Sequence, residues 1–226
     1  MQKLFEGYMR FRKEIYPLQQ PLFKSLAQDQ KPETLLITCS DSRVVPELIL
    51  QAAPGDLFIC RNVGNLVPPH GELKGGVSAT IEYAVGVLGV RNIIICGHSD
   101  CGAMKALLHS KYATDLPNVK AWLRQADTAK MLVCQCGLHH GEDQLQSLIK
   151  ENVISQLEHL KTHPCVAARL AVGELELFGW VFEIETGEVS SYDAKVDRFV
   201  PFDSTLPSAT PRRRRRVLGA AQLLNS

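Results

Sequence analysis

No apolar stretch of this 226-residue chain approaches the ~18 residues that a helix needs to cross a bilayer, so a membrane-spanning protein is not expected. Residues Met1 to Tyr8 hold no long apolar core and do not read as a secretory signal. Charge of one sign is missing as well. Lys and Arg number 25 against 24 Asp and Glu, and a formal net charge of +1 gives the chain as a whole no pull toward nucleic acid or a membrane surface. No internal repeat is present. The seven cysteines are an odd number and several sit inside apolar runs, which argues against a disulfide framework. These absences point to a reducing, cytoplasmic compartment, where cysteine serves metal binding or catalysis. The 45% of hydrophobic residues suffices for one sizeable core.

Two stretches carry the chemistry. Leu35, Leu36 and Ile37 form a short aliphatic run that reads as a buried strand, and Cys39, Asp41 and Arg43 stand at its carboxyl end. Ligands of open α/β sheets sit at that end. If the backbone stays extended, Cys39 and Asp41 point to one side. About sixty residues on, Asn92 to Cys96 is a second aliphatic strand, followed by His98 and Cys101. His98 and Cys101 have the spacing of paired zinc ligands, and Cys39 supplies a third. Two cysteines, a histidine and an open fourth position make a catalytic zinc arrangement rather than a closed structural one.

Along the chain, residues 1–27 read as an apolar-striped helical arm (Leu4, Tyr8, Phe11 and Ile15) that Pro17 and Pro21 interrupt or kink. Such an arm is expected to pack on a second subunit. Residues 28–203 read as the catalytic domain. In it Pro46 to Leu50 is a short helix, Asp56 to Cys60 a strand, and 64–76 a Gly/Pro-rich loop. Val77 to Leu88 is a helix with Gly89 as its C-cap. A helix from Cys101 to His109 should turn its backbone N–H groups toward whatever binds there. Further helices are expected over Leu116 to Ala129 and Gly141 to Leu160, then a hairpin of Glu174 to Ile184 and Val189 to Ala194 turning at Glu185 to Glu188. Alternating strands and helices give an α/β fold: a mainly parallel central sheet flanked by helices, with the N-terminal arm and a C-terminal β-hairpin. Residues 204–226 hold five successive arginines, Arg212 to Arg216, after a Pro/Ser linker, and read as a solvated, disordered tail. Cys134, Cys136, His139 and His140 also look metal-like, but they sit in a glycine-bearing link between helices and are not expected to bind a second zinc.

Cys39-Ser-Asp-Ser-Arg43 and Gly97-His-Ser-Asp-Cys-Gly102, joined by Arg61-Asn62 and the helix led by Gly75 and Gly76, closely resemble the β-class carbonic anhydrases, of the plant-like, open-site kind. The resemblance covers residues 1 to about 203. It implies reversible hydration of carbon dioxide to bicarbonate and a proton by hydroxide generated at one zinc ion per chain, with Cys39, His98 and Cys101 as ligands. Asp41 and Arg43 match the catalytic carboxylate–guanidinium pair. Gln30, Phe58, Val63, Tyr83 and Gly102 match residues of the substrate pocket. A homodimer or higher oligomer, tetramer or octamer, is implied, since β-class sites are built where two chains meet. Among readings from other classes, a zinc-stabilised structural or redox-sensing protein has no use for Asp41 and Arg43. A cysteine phosphatase needs a longer loop than the three residues between Cys39 and Arg43. A carbon disulfide hydrolase would share the same ligands.

One departure stands out. Some bacterial members of the class carry a tryptophan where Leu36 stands and a glycine where Thr38 stands. With the counterparts of Arg61 and Tyr83, that tryptophan forms a second, inhibitory bicarbonate pocket. Leucine offers an anion no N–H, so a site that stays open across neutral pH is expected here.

Overall fold

A computed structural model of the chain describes residues 1–72, 75–109, 115–135 and 143–202. The Arg-rich tail, Cys136, His139 and His140 lie outside the described residues; Cys134, exposed at the end of a helix, is the described member of that group.

The arm comprises α1 (Gln2–Arg10) and α2 (Tyr16–Leu26), joined by a wide π turn over Phe11–Ile15. The break comes before the prolines. Pro17 has no N–H to give and crowds the residue ahead of it, so the α ladder fails there and Tyr16 N–H reaches back to the Phe11 carbonyl. Pro21 then sits inside α2. In a straight helix Phe11 and Phe23 would be about 18 Å apart, yet their rings stand 6.1 Å apart with Tyr16 beside both, so the arm bends at the π turn.

A six-stranded sheet follows: β1 (Thr34–Cys39), β2 (Leu57–Asn62), β3 (Asn92–His98), β4 (Glu176–Phe182), β5 (Val189–Asp193) and β6 (Arg198–Pro201), in the order β2-β1-β3-β4-β5-β6. The first four strands run parallel, and β5 and β6 add an antiparallel edge. The expected hairpin is therefore a three-stranded meander; short, half-buried β6 gave no pattern in the sequence. The helices are α3 (Pro46–Ile49), α4 (Gly76–Tyr83), α5 (Gly102–Leu108), α6 (Pro117–Leu123), α7 (Asp127–Cys134), α8 (Gln144–Thr162) and α9 (Pro164–Val172). A π turn over Ala84–Leu88 extends α4 to Gly89, whose φ of 68° closes it as a left-handed C-cap. The single helix expected over Leu116 to Ala129 is two, parted by a 3₁₀ turn at Arg124–Ala126. α9 fills a stretch for which no element was expected; Pro164 in its first turn and left-handed Gly173 at its end bound it.

Alternation along the strands sorts the two cores. Leu35, Ile37, Ile93 and Ile95 face α8 and its neighbours, while Leu36, Ile94, Phe178 and Trp180 face the other side, near α3. A Cβ at Gly97 or Gly179 would come within 2.9 or 2.8 Å of Val153, so glycine is what lets α8 press onto β3 and β4 just before His98. Among the described residues no helix is long and apolar enough to cross a membrane.

Candidate metal centre

Parallel pairing of β1 with β3 aligns their carboxyl ends and fixes the centre. Cys39 is the last residue of β1, His98 the last of β3, and Cys101 is the N-cap of α5. Their ligand atoms all lie within 4.8 Å of one another, and the three residues are 5%, 0% and 1% exposed. His98 Nδ1 stands 2.8 Å from the Ser99 carbonyl oxygen, which assigns it the proton and leaves a lone pair on Nε2. That Nε2 is buried and has no hydrogen-bond partner among the described residues. A buried imidazole lone pair facing two sulfurs has lost water and gained nothing. Two thiolates and one neutral imidazole suit zinc with a fourth position open, and the residues present fit that ion.

The two sulfurs are electrically coupled. Cys39 is lowered to about 4, first by its hydrogen bond with Cys101 and then by His98 and the backbone N–H groups of Gly64 and Asp41, against burial. Cys101 is pushed up by the same contact and by burial, while the N–H groups of Met104 and Ala103 in the first turn of α5 pull the other way. A divalent cation would bind both sulfurs as thiolates and displace their protons. Cys96, on the far face of the sheet, is pushed up to about 12 by burial and is an inert core thiol.

Asp41 lies just past β1. Its Oδ1 accepts from Arg43 Nε at 2.9 Å and from the Arg43 backbone N–H at 3.0 Å, and its Oδ2 accepts from Arg43 Nη2 at 2.8 Å. This fork holds the carboxyl well below the usual carboxylate range. Oδ2 also stands 3.8 Å from His98 Nε2, beside the ligand set. Arg43 is gripped in turn: Nη1 donates to Asp100 Oδ2 at 3.0 Å and Nη2 to the Asp100 carbonyl at 3.2 Å, and Lys105 pairs with the same carboxylate. Arg61 donates to the carbonyls of Cys39 (3.0 Å) and Asp41 (2.7 Å), fixing the backbone between ligand and carboxylate. The sequence reading passed over Asp100 and Lys105; the signal was an acid inside the His98–Cys101 cluster itself.

The substrate-pocket residues divide. Val63 and Gly102 adjoin the ligands: Gly64, next to Val63, donates its N–H to Cys39 Sγ at 3.4 Å, and Gly102 follows Cys101. Gln30, Phe58 and Tyr83 do not reach the centre. Phe58 pairs with Leu35 whereas Cys39 pairs with Asn62, which sets Phe58 about 13 Å down the sheet, at 3.3 Å per residue. Tyr83 packs on Phe58, with ring centroids 5.9 Å apart, and lines a surface cleft with Gln30, Leu26 and Val87 at the sheet's amino end. Gln30, Phe58 and Tyr83 therefore stand apart from the cysteines of their own chain.

Comparison with known proteins bears on this geometry. The family model described as "Carbonic anhydrase" matches residues 34–189. A carbonic anhydrase of Pseudomonas aeruginosa is 48% identical over 88% of this chain and 91% of its own length, and carbonic anhydrase 1 of Escherichia coli O157:H7 is 45% identical over 94% of each. Among solved structures, the β-carbonic anhydrase CcaA superposes with a TM-score of 0.86 at 42% identity, covering 90% of this chain and 92% of that one. A tetrameric β-carbonic anhydrase of Sordaria macrospora superposes with a TM-score of 0.67 at 29% identity, covering 84% and 92%. By family, by fold and by relatives aligned over nearly its whole described length, this chain belongs to the β-class carbonic anhydrases.

Proposed function

We propose that this carbonic anhydrase hydrates carbon dioxide reversibly to bicarbonate and a proton with one zinc per chain, held by Cys39, His98 and Cys101. The observation that carries the reading is the unpartnered His98 Nε2 facing two sulfurs, with a carboxylate beside them that Arg43 holds aside. Zinc supplies Lewis acidity that makes water a nucleophile near neutral pH. The chain's own residues do the rest. Asp41, kept ionised, accepts a hydrogen bond from the attacking water and orients it. Arg43 anchors that carboxylate by two bonds and keeps it from closing on the cation. Val63 and Gly102 border the centre, where a small neutral substrate would enter. The test is hydration kinetics on protein of measured metal content. Turnover that tracks zinc at about one per chain is expected; zinc without turnover would return the structural or redox-sensing reading, and turnover of carbon disulfide in preference would reassign the substrate.

The second component is a neighbouring copy. Residues 28–203 would form the catalytic unit and 1–27 the arm that joins two of them. Leu4, Phe5, Tyr8 and Leu18 are exposed on the arm, and an apolar surface of that kind calls for a partner. Gln30, Phe58 and Tyr83, remote from their own chain's ligands, would complete the pocket of the adjoining chain, in keeping with the tetrameric Sordaria enzyme. Removing residues 1–27 is expected to give a monomer by light scattering, with kcat/KM down by about 10²-fold as the misplaced pocket residues are lost. A fully active monomer would contradict the shared site. The compartment would be the reducing cytoplasm, where thiolate ligands persist.

Bicarbonate should act on this enzyme only as its product. The space beside Leu36 and Thr38 is lined almost wholly by apolar atoms, from Val44, Pro46, Ile49, Cys96 and Phe182. Thr38 Oγ1 already donates to the Cys96 carbonyl at 2.9 Å, and Arg61 is engaged with the Cys39 and Asp41 carbonyls. Trp180 Nε1 is a single neutral donor without a partner there, too few for a buried anion. Titrating bicarbonate at neutral pH should give simple, non-cooperative inhibition. A steep cooperative loss of activity would reveal a second anion site.

A further inference from the structure

In the loop after β2, side chains of α8 take several backbone groups, while Asn62 takes the N–H and carbonyl of Leu66. Asn152 Nδ2 donates to the Gly64 carbonyl at 3.0 Å, and Gln156 Oε1 accepts the Val67 N–H at 2.7 Å. His159 Nδ1 donates to the Val67 carbonyl at 2.8 Å, His163 Nε2 meets the Pro68 carbonyl at 3.0 Å, and Thr162 Oγ1 accepts the His70 N–H at 2.8 Å. From the other side Trp122 Nε1 donates to the Val63 carbonyl at 2.8 Å. Asn152, Gln156 and His159 recur at helical spacing and form one row. Asn152 and Gln156 are 1% and 0% exposed and are bonded to each other at 3.0 Å. Buried amides on a helix that packs against a sheet are costly unless each is used, and here they are used on this loop, on each other and, through Gln156 Nε2, on the Gln125 carbonyl at 3.1 Å.

Among the described residues, the loop's hydrogen bond to the metal centre is the Gly64 N–H, 3.4 Å from Cys39 Sγ. Gly64 has φ of +83°, and a Cβ on it would stand 3.0 Å from Ala103 Cβ, so a side chain here would be both strained and crowded. We propose that Asn152 on α8, braced by Gln156, and Trp122 are positioning residues for the metal ligand: they hold the Gly64 and Val63 carbonyls so that the Gly64 N–H donates to the Cys39 thiolate. Two thiolates push charge onto a bound cation and weaken its acidity. A hydrogen bond to one sulfur draws some of that charge back, and second partners of this kind tune both affinity and reactivity. The inference rests on the reading of Cys39 as a ligand and adds what governs its strength as a donor.

The probe is the chain loaded with cobalt(II), whose sulfur-to-metal charge-transfer band reports the energy of the sulfur lone pairs. Asn152→Leu keeps the shape of the side chain and removes its donor. The expected result is wild-type cobalt content with the band moved to lower energy, since a sulfur without its N–H donor holds its lone pairs less tightly. Trp122→Phe, which frees the Val63 carbonyl from a half-buried ring and spares the core, should move the band the same way by less; it stands in if Asn152→Leu fails to fold. Leu160→Ala opens a cavity in the core beneath α8 without removing a side-chain hydrogen bond to the loop, so it should lower the melting temperature and leave the band in place. A band unmoved in the folded asparagine and tryptophan variants, or moved equally by Leu160→Ala, would overturn the proposal. A wild-type chain that takes up no cobalt would strike instead at the assignment of the ligands.

Discussion

Cys39→Ala, His98→Ala and Cys101→Ala will each yield a chain that keeps less than a stoichiometric zinc and has lost essentially all hydration activity. The three donors come from two strand ends and a helix cap, and their convergence depends on the β1–β3 pairing, not on the metal. The site is therefore pre-formed, and removing one donor removes a bond to the cation without rearranging the others. With only two protein donors left, a borderline-soft divalent ion falls below the three ligands that catalytic zinc sites use. His98 has the most to lose structurally. Its Nδ1–H bonds the Ser99 carbonyl, and Ser99 in turn ties to β4 and beyond through Phe182 and Ile184. Elemental analysis after dialysis decides the matter. Full zinc in any one variant would remove that residue from the ligand set.

How much of this could be read without coordinates follows from where the information lies. The strands were legible because Leu35, Ile37, Ile93 and Ile95 sit in short aliphatic runs, and the Cys39, His98 and Cys101 cluster because reactive residues follow those runs at once. The bend of the arm was legible from Pro17, though not its form, since a π turn is a local compromise of the hydrogen-bond ladder that leaves no residue signature. The pocket residues illustrate a different gap. Phe58 and Tyr83 were matched to the site by resemblance, but register places Phe58 about 13 Å down the sheet from Cys39, with Tyr83 packed on it, and pairing register is a property of the sheet that one strand's sequence leaves open. The amides of α8 were missed for a related reason. Asn152 and Gln156 look like breaks in an apolar face until the loop they serve is folded against them. Asp100 was hidden in plain view: its left-handed φ of 58° turns its carboxylate and carbonyl toward Arg43, and no spacing rule states that.

Asp41→Ala and Arg43→Ala are expected to retain one zinc per chain while kcat/KM for carbon dioxide hydration falls by about 10²–10³-fold, the range typical of removing a positioned proton acceptor or a preorganised electrostatic partner. The two losses have different causes. Without Asp41 the water that attacks has no carboxylate to orient it, and Arg43 is left paired with Asp100. Without Arg43 the carboxylate is intact but untethered. Its Oδ2 is already 3.8 Å from His98 Nε2, so a side-chain rotation brings it to the open position of the cation, where it competes with substrate water. Arg43→Ala should therefore hold zinc more tightly against a chelator than wild type, and Asp41→Ala should not; Arg43→Lys, which lacks the fork, should recover only part of the rate. The pH dependence follows from the same pair. Arg43 depresses the folded-state pKa of Asp41, so the pair's contribution is complete above the ordinary carboxyl value of about 3.9 and is lost only as pH falls through the lower folded value. Across neutral pH Asp41 stays ionised, and any ionisation seen in the rate there belongs to another group. Stopped-flow hydration with metal analysis on each variant settles the assignment: wild-type kcat/KM in either alanine variant at full zinc content would take Asp41 and Arg43 out of the mechanism.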